Sequence, residues 1–316
     1  MTANTRLLEA LSALPGVRAS HDEPLAPYTT WKLGGHADLL IEVEIASSLP
    51  AVLVELADAN IPWAVLGNGS NVLIADAGFR GAILRLTGHL AEVRLDRHAF
   101  GENRHRVTAG GGASLTKLLR LTKEEALSGL WVLGGIPGTV GGAVRMNAGT
   151  RWGEVKDTLV EVQVATVNGL TTLPASTLGL AYRHSALPSQ AIVTAASFSV
   201  TDAPTEMRDK LDEVLQHRKS TQPLQYPSCG SVFANPPGDS AGRLIEACGL
   251  KGHRIGNLAV AEQHANWILN LGGGTARDAV ALIEYIRETV ANRFGIYLRP
   301  EVIKLGDFDA TPQEAP

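Results

Sequence analysis

Apolar residues in the first two hundred positions fall mostly into short runs separated by glycine, a texture that predicts β-strands joined by tight turns. Such runs cover 38–43, 63–66, 72–75, 82–86 and 106–109. Two stretches break the texture with helical spacing: 47–60, and a segment through Leu118, Leu119 and Ala126 for which Ser114 is the expected N-cap. Residues 159–167 alternate through Val160, Val162 and Val164, meet Asn168-Gly169 and resume at 170–173, which predicts a β-hairpin. Positions 191–200 predict one more strand.

After Asp202-Ala203-Pro204 the texture changes to a charged helix over 205–220 and a Pro/Gly/Ser segment over 222–240, so a domain boundary is expected near 203. A helix over 240–248 follows, then a longer one over 275–294, opened by the capping box Thr275-x-x-Asp278 and stopped by Gly295. The last strand is expected over 296–305, and the short polar tail after Asp309 is expected to fray. The chain has neither internal repeats nor low-complexity segments.

Composition narrows the classes. With 316 residues, 45% of them hydrophobic and 19% charged, the chain has room for two or three packed domains. A net charge of -4 leaves no overall positive field for nucleic acid or an anionic membrane surface, so an anionic ligand has to be held by local donors. Cys229 and Cys248 match neither a metal spacing nor a disulfide scaffold, and a reducing cytoplasm is the expected compartment. The amphipathic stretch 7–14 contains Glu9 and lacks the apolar core of a signal peptide. The uncharged run 126–144 holds six glycines and Pro137, the make-up of a loop rather than a membrane span. The histidines show no H-E-x-x-H or similar spacing, so no catalytic metal is expected.

Two glycine-rich segments suit a pyrophosphate. The first is Gly67-Asn68-Gly69-Ser70-Asn71, where backbone N–H groups and two side-chain donors can turn outward together; a plain strand-connecting turn explains it equally well. The second, Gly134-Gly135-Ile136-Pro137-Gly138-Thr139-Val140-Gly141-Gly142-Ala143, runs on to Met146-Asn147-Ala148-Gly149. So many glycines are costly to order, and close approach of backbone to a ligand is the better explanation. Neither segment matches G-x-G-x-x-G, and no G-x-x-x-x-G-K-[ST] occurs. A third cluster, Gly110-Gly111-Gly112, reads best as a strand-to-helix turn.

Several polar residues have two readings on the sequence alone. Arg183, in Tyr182-Arg183-His184-Ser185, either points into a cleft or sits on the surface. Ser231, in Ser228-Cys229-Gly230-Ser231-Val232-Phe233, suggests a hydroxyl on a tight turn against a packed wall, and no Gly-x-Ser-x-Gly elbow surrounds it. Glu301 follows a proline and precedes an apolar strand, either half-buried as a proton donor or exposed. His264 and Asn266 either face a ligand or bound a strand.

Taken in order, Thr30-Trp31-Lys32-Leu33-Gly34-Gly35, the first glycine loop, Gly135 to Gly142 of the second, Tyr182-Arg183-His184-Ser185, Cys229-Gly230-Ser231-Val232-Phe233-Ala234-Asn235-Pro236 and Arg299-Pro300-Glu301-Val302 resemble the UDP-N-acetylenolpyruvoylglucosamine reductase family. The resemblance covers about 29–305 and implies an α+β fold: an FAD-binding region of the vanillyl-alcohol-oxidase type with two subdomains, plus a smaller α+β substrate domain. The boundaries expected are 1–203 for the FAD region with its subdomains split near 60–70, 204–297 for the substrate domain, and 298–316 returning to the flavin.

It further implies noncovalent FAD on the two glycine loops, NADPH as hydride donor, and UDP-N-acetylglucosamine enolpyruvate as substrate. Arg183, Ser231 and Glu301 then become catalytic: the arginine and glutamate polarise the enolpyruvyl carboxylate and the serine donates the proton. Asn235 resembles a substrate contact, Arg218 and Gln222 stand where UDP phosphates need holding, and Tyr182, His264 and Asn266 complete the expected substrate set. Two departures stand out. Ala234 replaces a lysine frequent in the family, and no tyrosine-bearing insertion follows Arg183, which matches the shorter, second type. An enzyme of this kind is expected to be a monomer without nucleic-acid or membrane partners. An oxidase on the same flavin scaffold leaves Ser231, Arg183 and Glu301 without a common task, and a noncatalytic binding module binds the ligands without NADPH turnover.

Overall fold

The computed structural model describes residues 3–207 and 209–310, so residues 311–316 of the tail expected to fray lie outside the described residues. The chain packs as two units. Unit 1 takes the chain up to residue 20, then 39–67 and 82–218; unit 2 takes 21–38, 68–81 and the chain from 219 on.

Unit 1 has two cores. In the first, helices α1 (Ala3–Ser12) and α2 (Leu49–Asp58) bury Leu11 and Leu53 with Ile41 and Leu84. The helix expected over 47–60 starts later, because a 3-10 turn at Ala46–Ser48 leads in and Pro50 occupies the first turn of α2, where no N–H is needed. In the second core, a sheet runs in the order Gly169–Pro174, Leu159–Thr166, Ile192–Asp202, Arg104–Gly110, Val93–Asp96. Helices α3 (Leu115–Glu124) and α4 (Val140–Arg145) belong to this core, which buries Leu118, Val140, Val144 and Phe198 together. The hairpin closes with Thr166 opposite Gly169, and the Ser114 hydroxyl accepts from the Lys117 amide at 3.1 Å. Strand Phe79–Leu86 packs in the first core, to which Ala165 and Ile192 of the second sheet also contribute.

Among the strands that the sequence reading did not anticipate are Val17–Pro24 and Val93–Asp96. Each lies at the end of its sheet, and an edge strand needs no long apolar run. Helix α5 (Lys210–Thr221) is preceded by a 3-10 turn at Thr205–Met207, and unit 1 extends along it to Arg218, beyond the boundary expected at 203.

In unit 2 an antiparallel sheet runs in the order Ser228–Ser231, Trp267–Asn270, Leu258–Val260, Arg254–Ile255. It shares a core with α6 (Ala241–Ala247) and α7 (Ala276–Phe294), in which Trp31, Phe233, Leu244, Ile268 and Ile286 are buried. The strand expected over 296–305 is reduced to Ile303–Leu305, paired in parallel with Val72–Ile74. Upstream, Pro300 makes only an isolated bridge to Phe233, since proline has no N–H to continue a ladder. No helix among the described residues is long and apolar enough to cross a membrane.

Helix α7 is capped twice. Thr275 and Asp278 form the expected capping box, and Gly295 ends the helix in the left-handed region at φ 69°. The carboxylate of Asp76 adds a cap from far along the chain, accepting from the Ala276 amide at 2.7 Å and the Arg277 amide at 2.9 Å. Asp76→Ala is therefore expected to lower unfolding stability by about 1–2 kcal/mol. Urea denaturation checks it: an unchanged midpoint removes Asp76 from the list of stabilising caps.

Candidate functional site

In unit 1 the two glycine loops meet. A Cβ added to Gly67 would stand 2.5 Å from the Thr139 hydroxyl oxygen, so only a bare backbone passes there. Thr139 caps α4, and Gly141 and Val140 donate to the carbonyls of Gly111 and Ala113 at 2.8 and 2.9 Å. Those bonds hold the second loop against the turn between strand Arg104–Gly110 and α3, the role expected of the triple glycine. Arg218 crosses the same loop: a Cβ on Gly135 would be 2.5 Å from its Cδ. Its Nε is buried with no hydrogen-bond partner among the described residues, and burial lowers the pKa of the guanidinium. The close approach of the two loops suits their backbone to cradle a diphosphate such as that of FAD, and the desolvated Arg218 guanidinium suits a further anionic group.

The first loop continues into unit 2 as Asn68-Gly69-Ser70-Asn71, where three backbone segments are tied to one another. Thr30 donates its amide to the Gly69 carbonyl at 3.2 Å and its hydroxyl to the Ser228 carbonyl at 2.7 Å, and accepts from the Ser228 amide at 3.1 Å. Asn71 donates its side-chain amide to the Glu301 carbonyl at 2.9 Å and accepts from the Ile303 amide at 3.0 Å. The Glu301 amide in turn donates to the Val232 carbonyl at 2.8 Å. The loop, the serine strand and the glutamate segment thus share one hydrogen-bond chain.

Ser231 owes its direction to a bulge. Ser228 pairs with Leu269 and Ser231 with Trp267, so the serine strand carries one extra residue, and Gly230 sits at φ 77° within it. Cys229, Val232 and Phe233 are buried while Ser231 is exposed, an orientation that regular alternation does not give. The neighbouring Cys229 thiol has its pKa pushed far up by burial, so it stays neutral beside the serine.

Arg183 belongs to unit 1. It occupies the left-handed region at φ 56°, donates to the Gly149 carbonyl at 3.1 Å and lies 5.0 Å from the ring centroid of the exposed Tyr182.

The remaining expected substrate residues are placed as follows. Asn266 is buried, and its carboxamide accepts from the Phe233 amide at 3.0 Å and donates to the Phe233 carbonyl at 2.8 Å, so both ends hold the serine strand. His264 accepts from the Asn266 amide through Nδ1 at 3.3 Å, and Asn235 accepts from the Ala241 amide at 3.0 Å. Gln222 Oε1 is buried without a hydrogen-bond partner among the described residues. Ala234 is buried with its amide donating to the Arg299 carbonyl. The role of Thr30 is not legible from its own neighbourhood in the chain, since its partners stand 39 and 198 residues away.

Comparison with known proteins follows this geometry. Residues 37–173 match the family described as "FAD binding domain", and 222–305 match "UDP-N-acetylenolpyruvoylglucosamine reductase, C-terminal domain". The chain is 41% identical over 305 residues to the UDP-N-acetylenolpyruvoylglucosamine reductase of Myxococcus xanthus, covering 96% of this chain and 97% of that one. It is 44% identical over 295 residues to the protein of the same name from Anaeromyxobacter dehalogenans, with 92% and 88% covered. Among solved structures, UDP-N-acetylenolpyruvylglucosamine reductase from Thermus caldophilus superposes with a TM-score of 0.78 at 36% identity, covering 92% of this chain and 99% of that one.

Proposed function

Because this chain belongs to the UDP-N-acetylenolpyruvoylglucosamine reductase family, we propose that Arg183, Ser231 and Glu301 carry out its reaction on the substrate side, with NADPH as the source of hydride. It is an FAD-dependent oxidoreductase that reduces the enolpyruvyl group of UDP-N-acetylglucosamine enolpyruvate in peptidoglycan precursor synthesis. The observation that carries the assignment of roles is the hydrogen-bond chain from Asn71 through Glu301 to Val232, which joins a cofactor loop to the acid and to the strand bearing Ser231.

The residues of the two loops, Gly67 to Asn71 and Gly134 to Ala143, hold FAD noncovalently, and the loops approach each other at Gly67 and Thr139. FAD supplies the hydride carriage between NADPH and the terminal alkene carbon. Negative charge then develops on the carbon next to the carboxylate and on the carboxylate itself. Arg183 faces that charge as a fixed cation, and Glu301 hydrogen-bonds the carboxylate. The Ser231 hydroxyl gives its proton to the carbon and recovers one from water. Arg218 and Gln222, each with a buried polar atom lacking a partner among the described residues, hold the UDP diphosphate in place of the lysine that Ala234 replaces. Tyr182, Asn235 and His264 line the sugar-nucleotide path, and Asn266 acts by holding the Phe233 backbone. The reading includes a vanillyl-alcohol-oxidase type of FAD region, a monomeric state and a cytoplasmic location.

Purified protein should be yellow, release its flavin on acid treatment, and oxidise NADPH in proportion to added UDP-N-acetylglucosamine enolpyruvate. NADPH and the UDP-sugar take turns in one cleft, because the chain has no second dinucleotide fingerprint. Initial rates should give parallel double-reciprocal lines with inhibition by excess substrate. Intersecting lines, the mark of a ternary complex, would sink the shared cleft.

A further inference from the structure

The turn that presents Arg183 is tied down by a side chain outside the expected site. Asn147 is fully buried, at 0% exposure, directly after α4. Its amide donates to the Val144 carbonyl at 3.0 Å, the Ala148 amide donates to the Ala143 carbonyl at 2.8 Å, and its φ is 42°. This is the left-handed closure of a helix end, where glycine is usual and asparagine is tolerated. Helix closure alone does not explain the side chain. Its Oδ1 accepts from the Lys156 amide at 3.0 Å, while Nδ2 donates to Glu154 Oε2 at 2.9 Å and to the Ala181 carbonyl at 3.0 Å. Both amide hydrogens and one carbonyl lone pair are thereby used. The Lys156 ammonium lies 2.8 Å from the same Glu154 carboxylate, and that bond raises the pKa of the lysine.

The bond to Ala181 lands on the turn itself. Ala181 and His184 exchange amide-to-carbonyl bonds at 3.1 and 3.0 Å, enclosing Tyr182 and Arg183. Arg183 then donates its guanidinium back to the Gly149 carbonyl, two residues past Asn147. A non-glycine residue in the left-handed region costs on the order of 1 kcal/mol or more and persists only where its surroundings hold it. Asn147 supplies such a hold from below the turn. We infer that Asn147 is a positioning residue for Arg183, setting the guanidinium where the enolpyruvyl carboxylate is bound. This rests on the assignment of Arg183 as the cation facing that carboxylate.

The rival role, a helix closure and nothing more, is separated by Asn147→Gly, because glycine keeps the left-handed closure and removes only the carboxamide. With stopped-flow flavin absorbance, this variant should be reduced by NADPH at the wild-type rate and reoxidised by UDP-N-acetylglucosamine enolpyruvate about 10²-fold more slowly, the cost of misplacing a catalytic group by about 1 Å. Amides 181–185 should exchange faster with deuterium in the absence of substrate. Added to Arg183→Ala, which is itself slow in reoxidation, Asn147→Gly should cost nothing more. If the glycine variant fails to hold FAD, Asn147→Asp serves instead, since it keeps the closure and the Oδ1 acceptor and turns the two donations, to Glu154 and Ala181, into repulsive oxygen–oxygen contacts. Wild-type reoxidation in these variants, equal loss in both half-reactions, unchanged exchange at 181–185, or full additivity with Arg183→Ala each overturns the positioning role. A fast Arg183→Ala enzyme instead marks failure of the Arg183 assignment, and the positioning role falls with it.

Discussion

Ser231→Ala should leave reduction by NADPH near its normal rate and slow reoxidation by the enolpyruvyl substrate by about 10²–10⁴-fold, the usual loss for a positioned acid. The separation follows from where the proton is needed: none is delivered to substrate carbon in the NADPH half. A serine hydroxyl is a weak acid, so it acts only against a strongly basic carbon and only within hydrogen-bond reach. The bulge at Gly230 provides that mount, turning Ser231 outward while Cys229, Val232 and Phe233 anchor the strand in the core. Cys229 offers no substitute acid, because its side chain is buried in the core while Ser231 is turned outward. Stopped-flow absorbance reads each half separately. Reoxidation within a few-fold of wild type, or equal loss in both halves, removes Ser231 as the donor and turns attention to Glu301.

Gly67→Val should give protein that purifies largely colourless. The added side chain meets Thr139 at 2.5 Å from its hydroxyl oxygen and 3.0 Å from its methyl carbon, so the two glycine loops must separate. Overpacking of this kind costs about 1–3 kcal/mol, which corresponds to about a tenfold to hundredfold loss of FAD affinity if the strain falls on the bound state. Circular dichroism should show an intact fold. Removing the obstacle should restore part of the binding, so Gly67→Ala with Thr139→Ala is expected to hold more FAD than Gly67→Ala alone. Flavin titration followed by fluorescence decides it: wild-type affinity in Gly67→Val means that the loops do not form the cofactor cradle.

Local chemistry made much of this legible. The capping box at Thr275 and Asp278, the stop at Gly295, the cap at Ser114 and the hairpin turn at Asn168-Gly169 each follow from residues a few positions apart. The second glycine loop stood out because its composition exceeds what a turn requires, while the first was equally consistent with a plain turn. Several of the missed features depend on distant partners or on an edge position. Val17–Pro24 carries polar residues along most of its length as an edge strand, so it lacks the alternation that marks a strand. Asp76 reaches its helix across 200 residues, and Thr30 reaches Ser228 across 198. Asn266 had two readings on the sequence alone, and only the fold reveals that its carboxamide bonds the backbone of Phe233. Asn147 was quoted within a glycine-rich stretch, and only the fold reveals the carbonyl of Ala181 beside it.

The parallel pairing of Ile303–Leu305 with Val72–Ile74 sets an order of events during synthesis. A ribosome releases the chain from its N-terminus, so the 68–81 segment emerges while the strand that pairs with it is still untranslated. The Asn71 end of the cofactor loop acquires its bonds to Glu301 and Ile303 only after residue 303 has been translated. A nascent protein therefore cannot assemble this part of the cradle early, and a premature stop just before residue 300 yields a chain whose unit 1 is fully encoded but whose loop lacks its closing strand. Neither unit is a contiguous stretch of the gene, so neither can be exchanged with another protein by a single cut and splice.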